Sequence, residues 1–145
     1  MPGYVSVYGE FVDDRSRLAA DSRDGHLALR RVERQQVLIE RLVAAHGSRL
    51  TVPALAAELG VSARTVSRDL ERLSSSGVPV RTWPGRAGGV GLPVQAQPGP
   101  ITFDLAEAAA VMSSLTVLGP SATGSAGSAT RKLAAALTRA LDLMP

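Results

Sequence analysis

Residues 59–73 read LGVSARTVSRDLERL, and this stretch predicts how the middle of the chain folds. Gly60 is placed to end one helix, because glycine readily adopts the left-handed conformation found at helix ends. Ser62 is placed to cap the next helix, which we predict from Ala63 to Ser75. One face of that helix is apolar and consists of Val66, Leu70 and Leu73. The stretch therefore predicts a helix, a tight turn and a second, amphipathic helix.

Two helices are predicted ahead of this turn. The first runs from Arg30 to a stop at Gly47, and its apolar face consists of Leu38, Ile39, Leu42 and Ala45. The second is short and begins after Thr51, whose hydroxyl suits an N-cap. Its inward-facing side chains are Leu55 and Leu59. Three helices are therefore expected before residue 76.

Two short strands are predicted after the third helix, VPVRTW at 78–83 and GGVGL at 88–92, joined by the turn PGRA. The glycines here are interpreted as turn residues, because a phosphate-binding loop needs a Gly-Lys-Ser/Thr ending that this segment lacks. A helix, a turn and a capped helix followed by a hairpin are typical of a winged helix-turn-helix. The predicted fold class is mainly α with a small β-hairpin, and the winged helix-turn-helix occupies residues 30–92.

The front of the third helix points away from its apolar face and is rich in arginine. Arginine can donate two hydrogen bonds to a guanine edge or to a phosphate. Arg64 lies in the first turn, which reaches deepest into a DNA groove, so we assign it to base reading and Arg68 to a base or a phosphate. Asp69 lies nearer the apolar face, and we expect it to pair with an arginine of a neighbouring helix.

The other candidate contacts concern the DNA backbone and the hairpin, which is the wing of the fold. Ser62 and Thr65 are assigned to phosphates. Arg86 at the wing tip is assigned to a phosphate or the minor groove, with help from Arg81. The predicted DNA-binding residues are Ser62, Arg64, Thr65, Ser67, Arg68, Arg72, Arg81 and Arg86.

Charge is distributed unevenly along the 145 residues. Residues 30–92 contain ten arginines and five acidic residues, whereas residues 1–29 contain three arginines and five acidic residues. Residues 93–145 balance at three basic and three acidic side chains. A basic middle segment favours a polyanionic partner, although a mildly positive charge can also serve solubility alone.

Several classes of site are disfavoured by composition. There is no cysteine, which excludes disulfides, thiolate catalysis and cysteine-type zinc sites. The two histidines and the scattered carboxylates form no catalytic pattern, so we predict no enzyme, no metal and no cofactor. The first residues do not resemble a signal peptide and no apolar run is long enough to span a membrane. A cytoplasmic, nucleoid-associated bacterial protein is expected.

The two ends of the chain give weaker patterns. Residues 1–29 are expected to be poorly ordered, and residues 93–102, with their prolines, to be a linker. Residues 103–145 predict a helix from Asp104, a flexible Gly/Ser/Ala loop and a last helix from Arg131. We predict that these helices form a hairpin that pairs with a second copy; docking within the same chain or on a missing domain are the alternatives.

The segment from Leu50 to Leu92 resembles the winged helix-turn-helix of DeoR-type bacterial transcription regulators, especially those that carry a WYL effector domain. The shared motifs are Gly-Val-Ser at 60–62, Arg-Thr-Val at 64–66, Arg-Asp-Leu at 68–70 and the Gly-Gly wing at 88–89. Residues 93–145 are more faintly similar to the linker of that group. The resemblance implies regulation of transcription through DNA binding.

Three features depart from that group. Ser67 stands where another arginine is frequent, and Val90 replaces the usual aromatic residue of the wing. The chain stops at Pro145, about where the WYL domain would begin, so no small-molecule effector is expected.

The function hypothesis favoured by these patterns is sequence-specific binding of double-stranded DNA in the control of transcription. The alternative is a winged-helix adaptor that binds protein and not DNA. The arginine-rich front of the third helix favours the first, since an apolar or acidic front would be typical of the second.

Overall fold

A computed structural model describes residues 7–94, 98–119 and 123–143, and for residues 7–19 only the course of the backbone. Parts of the predicted N-terminal extension, linker and Gly/Ser/Ala loop lie outside the described residues. The elements in chain order are α1 (Val7–Ala44), α2 (Val52–Leu59), α3 (Ala63–Ser75), β1 (Arg81–Trp83), β2 (Gly89–Gly91), α4 (Leu105–Thr116) and α5 (Gly124–Asp142).

Helix α1 is longer than the sequence pattern indicates. We predicted a helix from Arg30 and little regular order before it, but α1 begins at Val7. Adding a residue to an existing helix gains a hydrogen bond without a new nucleation step, so a helix anchored at one end extends easily. Alanine, leucine and arginine in the segment before Arg30 favour that extension. The division between an extension and a domain at residue 29 stays a prediction.

One hydrophobic core holds the winged segment together. The predicted apolar face of α3 is buried, as are Leu38 and Leu42 of α1 and Leu55 of α2. Val90 of β2 joins the same cluster, so the wing is packed against the three helices. Burial of these side chains is the main favourable contribution to folding. The mainly helical fold with a two-stranded hairpin is confirmed.

The turn between α2 and α3 has the predicted caps. Gly60 is left-handed, with φ of 65°, and its N–H donates to the carbonyls of α2. The Ser62 hydroxyl accepts a hydrogen bond from the Thr65 N–H at 3.1 Å. Both caps satisfy backbone groups that a helix end leaves without partners. Helix α3 therefore begins at the residue that the sequence indicates.

The wing is an antiparallel hairpin, and one residue from outside the hairpin pairs with the other side of β2. Strand β1 pairs with β2, and Thr82 lies opposite Val90. Leu50 forms a bridge to Val90 on the other side of β2, through N–H···O hydrogen bonds of 2.9 and 2.7 Å. A side chain at Gly88 would lie 2.1 Å from the Trp83 carbonyl oxygen, so the turn requires glycine there. The segment before α2 thus fastens the wing to the helices.

Helices α4 and α5 pack against each other as the predicted hairpin. Asp104 caps α4, and a reciprocal bond from its N–H to Glu107 completes a capping box. Helix α5 begins at Gly124, so GSAGSAT is helical and the predicted loop over these residues is wrong. The reason is tertiary: Glu40 of α1 accepts the Ser125 N–H at 2.8 Å, which supports the first turn of α5 against its low helix propensity.

Candidate nucleic-acid interface

The exposed front of α3 carries Arg64 and Arg68, as predicted. Both side chains are exposed. Within the part of the chain that the structure describes, neither makes an ion pair or a side-chain hydrogen bond. Because the two residues are four apart, their guanidinium groups lie on one face of the helix. The front of α3 therefore presents two positive charges with unused donors.

Asp69 is the fully buried carboxylate behind this front. It forms an ion pair with Arg34 of α1 and accepts a hydrogen bond from Gln35 at 3.3 Å. Arg72 completes the cluster at 3.4 Å from Asp69. A buried charge must be paired and hydrogen-bonded to be tolerated, and three donors meet that need. The predicted pairing of Asp69 with an arginine of a neighbouring helix is confirmed.

A second ion pair joins α1 to α2 at the protein surface. Arg41 donates two hydrogen bonds to Glu58, of 2.7 and 3.1 Å, in a bidentate geometry. The hydrogen bonds and charge of Glu58 raise the pKa of Arg41, and those of Arg41 lower the pKa of Glu58. The structure thus divides the arginines of the winged segment into those that hold helices together and those that face outward.

Ser62 and Thr65 meet at the N-terminus of α3. Their hydroxyl oxygens are 3.0 Å apart, so one of the two hydroxyl protons is used between them. The other hydroxyl proton and the first backbone N–H groups of α3 are placed to meet an anion. The positive end of the helix dipole lies at the same point, so the site is electrostatically suited to a phosphate oxygen.

Ser67 faces a groove between α3 and the wing. The groove is also lined by Glu71, on α3, and by Thr82, on β1. Ser67 is half-buried there, so it lies beside the front of α3 that Arg64 and Arg68 form. A hydroxyl in that position can still reach a nucleic acid that lies between the helix and the wing.

The remaining candidates lie in different places. Arg86 is exposed in the turn at the wing tip, and Arg81 is exposed at the start of β1. Arg72 lies toward α1, in the ion pair with Asp69 and beside a groove that Arg31 also lines. Five candidates thus lie in the N-terminal part of α3, two lie on the wing, and Arg72 has an internal partner. Its contact with DNA stays a prediction.

Sequence reasoning missed Arg49. Its guanidinium lies 4.6 Å from the centre of the Trp83 ring and donates to the Ala87 carbonyl at 3.2 Å. The sequence showed only an arginine after a glycine turn, with no periodic pattern around it. The relation to Trp83 depends on the bridge that carries the chain from α1 to the edge of the wing, and no local signal encodes it.

One comparison with known proteins finds a match over the segment that carries these candidate residues. Residues 34–91 match the family model of an HTH domain, a match that begins within α1 and ends with β2. Neither curated proteins nor solved structures returned a match. The HTH match supports DNA binding and transcription regulation, with DNA as the partner, and it points to a regulator rather than an enzyme.

Two further features, membrane-spanning helices and groups of metal ligands, are absent from the described residues. None of the helices there combines the length and the apolar character that crossing a membrane requires. Histidine and acidic side chains do not gather in groups of three or more that could hold a metal ion in this part of the chain.

Proposed function

We propose that the protein binds double-stranded DNA in a sequence-specific manner and regulates transcription. The observation that carries the proposal is the division of the arginines. Arg34, Arg41 and Arg72 are paired with carboxylates. Arg64 and Arg68 have no such partner within the described residues. Unpaired guanidinium groups on one exposed helix face provide the donors that base edges and phosphates accept.

The docking follows from the order of the elements. In helix-turn-helix proteins the second helix of the motif enters the major groove and the first crosses the DNA backbone. Here those helices are α3 and α2. Arg64, in the first turn of α3, would read a base, and Arg68 would contact a base or a phosphate. Ser62 and Thr65 at the start of α3 and the wing residues Arg81 and Arg86 would position the protein on the phosphates.

The finer family relationship is part of the proposal. The motifs from Gly60 to Leu70 and the Gly-Gly wing resemble those of DeoR-type regulators with a WYL domain. Val90, which departs from that group, is buried in the core of the winged segment. The operator sequence is to be read from the selection experiment below.

Selection of bound sequences from a random duplex pool tests the proposal directly. We expect enrichment of one sequence family and an affinity that falls steeply as salt rises, because phosphate contacts release counterions. A protein-binding adaptor would enrich nothing and would show no salt-dependent affinity for duplex. That result would contradict the proposal and favour the alternative function.

Arg64→Ala tests the assignment of base reading. We expect a loss of about 1–3 kcal/mol on the preferred duplex and a much smaller loss on random duplex. Folding should persist, since Arg64 is exposed. Arg131→Ala is the matched control, because it removes the same charge from an exposed position on α5. Equal losses on both duplexes from Arg64→Ala, with unchanged circular dichroism, would show a phosphate contact instead.

A further inference from the structure

Arg49 and Trp83 form a stacked pair on the outer surface of the wing. Gly89 and Gly91 lie on the same face of β2, opposite the buried Val90. A side chain on Gly91 would lie 3.2 Å from the Trp83 ring, and one on Gly89 would lie 3.2 Å from the Cβ of Arg49. Because the two glycines carry no side chains, this face of β2 has room for the Trp83 ring and the Arg49 guanidinium to meet.

The stack leaves the guanidinium able to bind an anion. The contact with the ring uses the flat face of the group, whereas its N–H donors point outward in the plane of the guanidinium. Arginine has five such donors, and one of them is used by the Ala87 carbonyl. Among the described residues no carboxylate pairs with Arg49. The contact with tryptophan also restricts the Arg49 side chain before it binds, so that less conformational entropy is lost on binding.

The guanidinium of Arg49 lies close to the wing tip. Ala87, whose carbonyl it contacts, is the neighbour of Arg86 in the exposed turn. Two guanidinium groups from different parts of the chain thus lie at the same end of the wing. Like charges gathered without an intervening acid favour a polyanion that passes close to both.

From this geometry we infer that Arg49, held by Trp83, is a further phosphate-binding residue that contacts the DNA backbone beside the phosphate bound by Arg86. The inference rests on the proposed function and adds to it a contact from outside the helix-turn-helix and the wing strands. It assigns Trp83 as a positioning residue, which orients the guanidinium without touching DNA.

The test is a double-mutant cycle in the full chain, with affinity for random duplex measured over a range of salt. Arg49→Ala is expected to weaken binding by roughly three- to tenfold near 0.1 M salt and to reduce the salt slope by about one unit. Arg49→Lys keeps the charge and should retain the slope. The double change with Arg86→Ala should reduce the slope by about two units, since independent contacts add.

Three results would overturn the inference. First, the salt slope of Arg49→Ala could equal that of the parent. Second, Arg49→Ala could have no effect once Arg86 is alanine, and this would make Arg49 only a support for Arg86. Arg49→Lys could also lose as much slope as Arg49→Ala, which would show a structural role. Absence of salt-dependent duplex binding by the parent chain would instead overturn the proposed function, and the inference with it.

Fluorescence of Trp83 gives an independent readout, because it is the single tryptophan of the chain. Duplex binding should change its emission in the parent protein through the stacked guanidinium. The change should be smaller in Arg49→Ala and should persist in Arg131→Ala. An identical response of parent and Arg49→Ala would contradict the inference.

Discussion

The winged segment and the helical hairpin of one chain are built in different ways. The winged segment buries large side chains from three helices and the wing, including Leu38, Leu55 and Val66. In the hairpin the buried apolar side chains among the described residues are Ala108 and Ala126 on the helices and Leu118 just after α4. At the same time the segment from 101 onward leaves large apolar side chains exposed, and these include Ile101, Leu105, Val117, Leu141 and Leu143.

The difference shows what each region requires. A core of interlocking large side chains can stabilise a small domain by itself. A hairpin that buries little and exposes leucine and valine gains stability when another surface covers them. We therefore expect substitutions in the winged segment to change folding, and substitutions in the hairpin to change association.

The largest effect is expected at the buried carboxylate of α3. Asp69→Ala removes the partner of Arg34 and leaves its positive charge partly buried, which costs about 3–5 kcal/mol of unfolding free energy. Urea unfolding followed by Trp83 fluorescence measures it. Glu58→Ala is the control, since it breaks an exposed ion pair and should cost much less. Equal costs for the two substitutions would show that burial of Asp69 does not matter.

The next effect concerns association of the hairpin. We propose that residues 103–143 pair with the same segment of a second copy and so cover its exposed apolar side chains. Leu141→Glu places a charge in the last turn of α5 and should weaken the dimer by roughly tenfold or more. Sedimentation at several concentrations measures this. A monomeric parent protein at tens of micromolar (roughly the range of weak homodimers) would contradict the proposal.

A matched pair of helix caps compares the two regions directly. Ser62→Ala and Asp104→Ala each remove a side chain that accepts an N–H at the start of a helix, at a cost of about 1 kcal/mol. In the winged segment this cost should lower the unfolding free energy reported by Trp83. In the hairpin it should speed amide hydrogen exchange in α4 and leave the Trp83 transition unchanged. A shift of that transition by Asp104→Ala would show that both regions unfold as one unit.

The smallest effect concerns the contact between the regions. Hydrogen bonds from the Ser125 side chain and backbone lower the pKa of Glu40 below its ordinary value of 4.5. A carboxyl with a lowered pKa in the folded state stabilises above its unfolded pKa, and this stability is lost as the pH falls through the folded pKa. Docking of α5 on α1 should therefore persist from neutral pH to about pH 5 and weaken below about pH 4.

Hydrogen-exchange protection of the Ser125 amide, relative to amides in α3, measures this docking. Glu40→Gln at neutral pH should reproduce the acid effect, because the amide accepts a weaker hydrogen bond than the carboxylate. Equal protection of the Ser125 amide in the parent and in Glu40→Gln would show that the charge of Glu40 does not support the contact.

The features that could be predicted from the amino-acid sequence are local. The caps at Gly60 and Ser62, the extent of α3 and its buried face each depend on residues within a few positions of one another. The capping box at Asp104 and the pairing of the two wing strands also depend on residues that are close together in the sequence. Short-range hydrogen bonds and periodicity leave a readable pattern in the letters, and for this reason the front of α3 was placed correctly from sequence.

The features that could not be predicted depend on residues far apart in the chain. The partner of Asp69 is thirty-five positions away, in Arg34. The helical start of α5 depends on Glu40, and the orientation of Arg49 depends on Trp83. A single sequence shows that an arginine or a glutamate is present, but packing brings its partner to it. Packing therefore determines which charges are neutralised inside the protein and which remain to meet DNA.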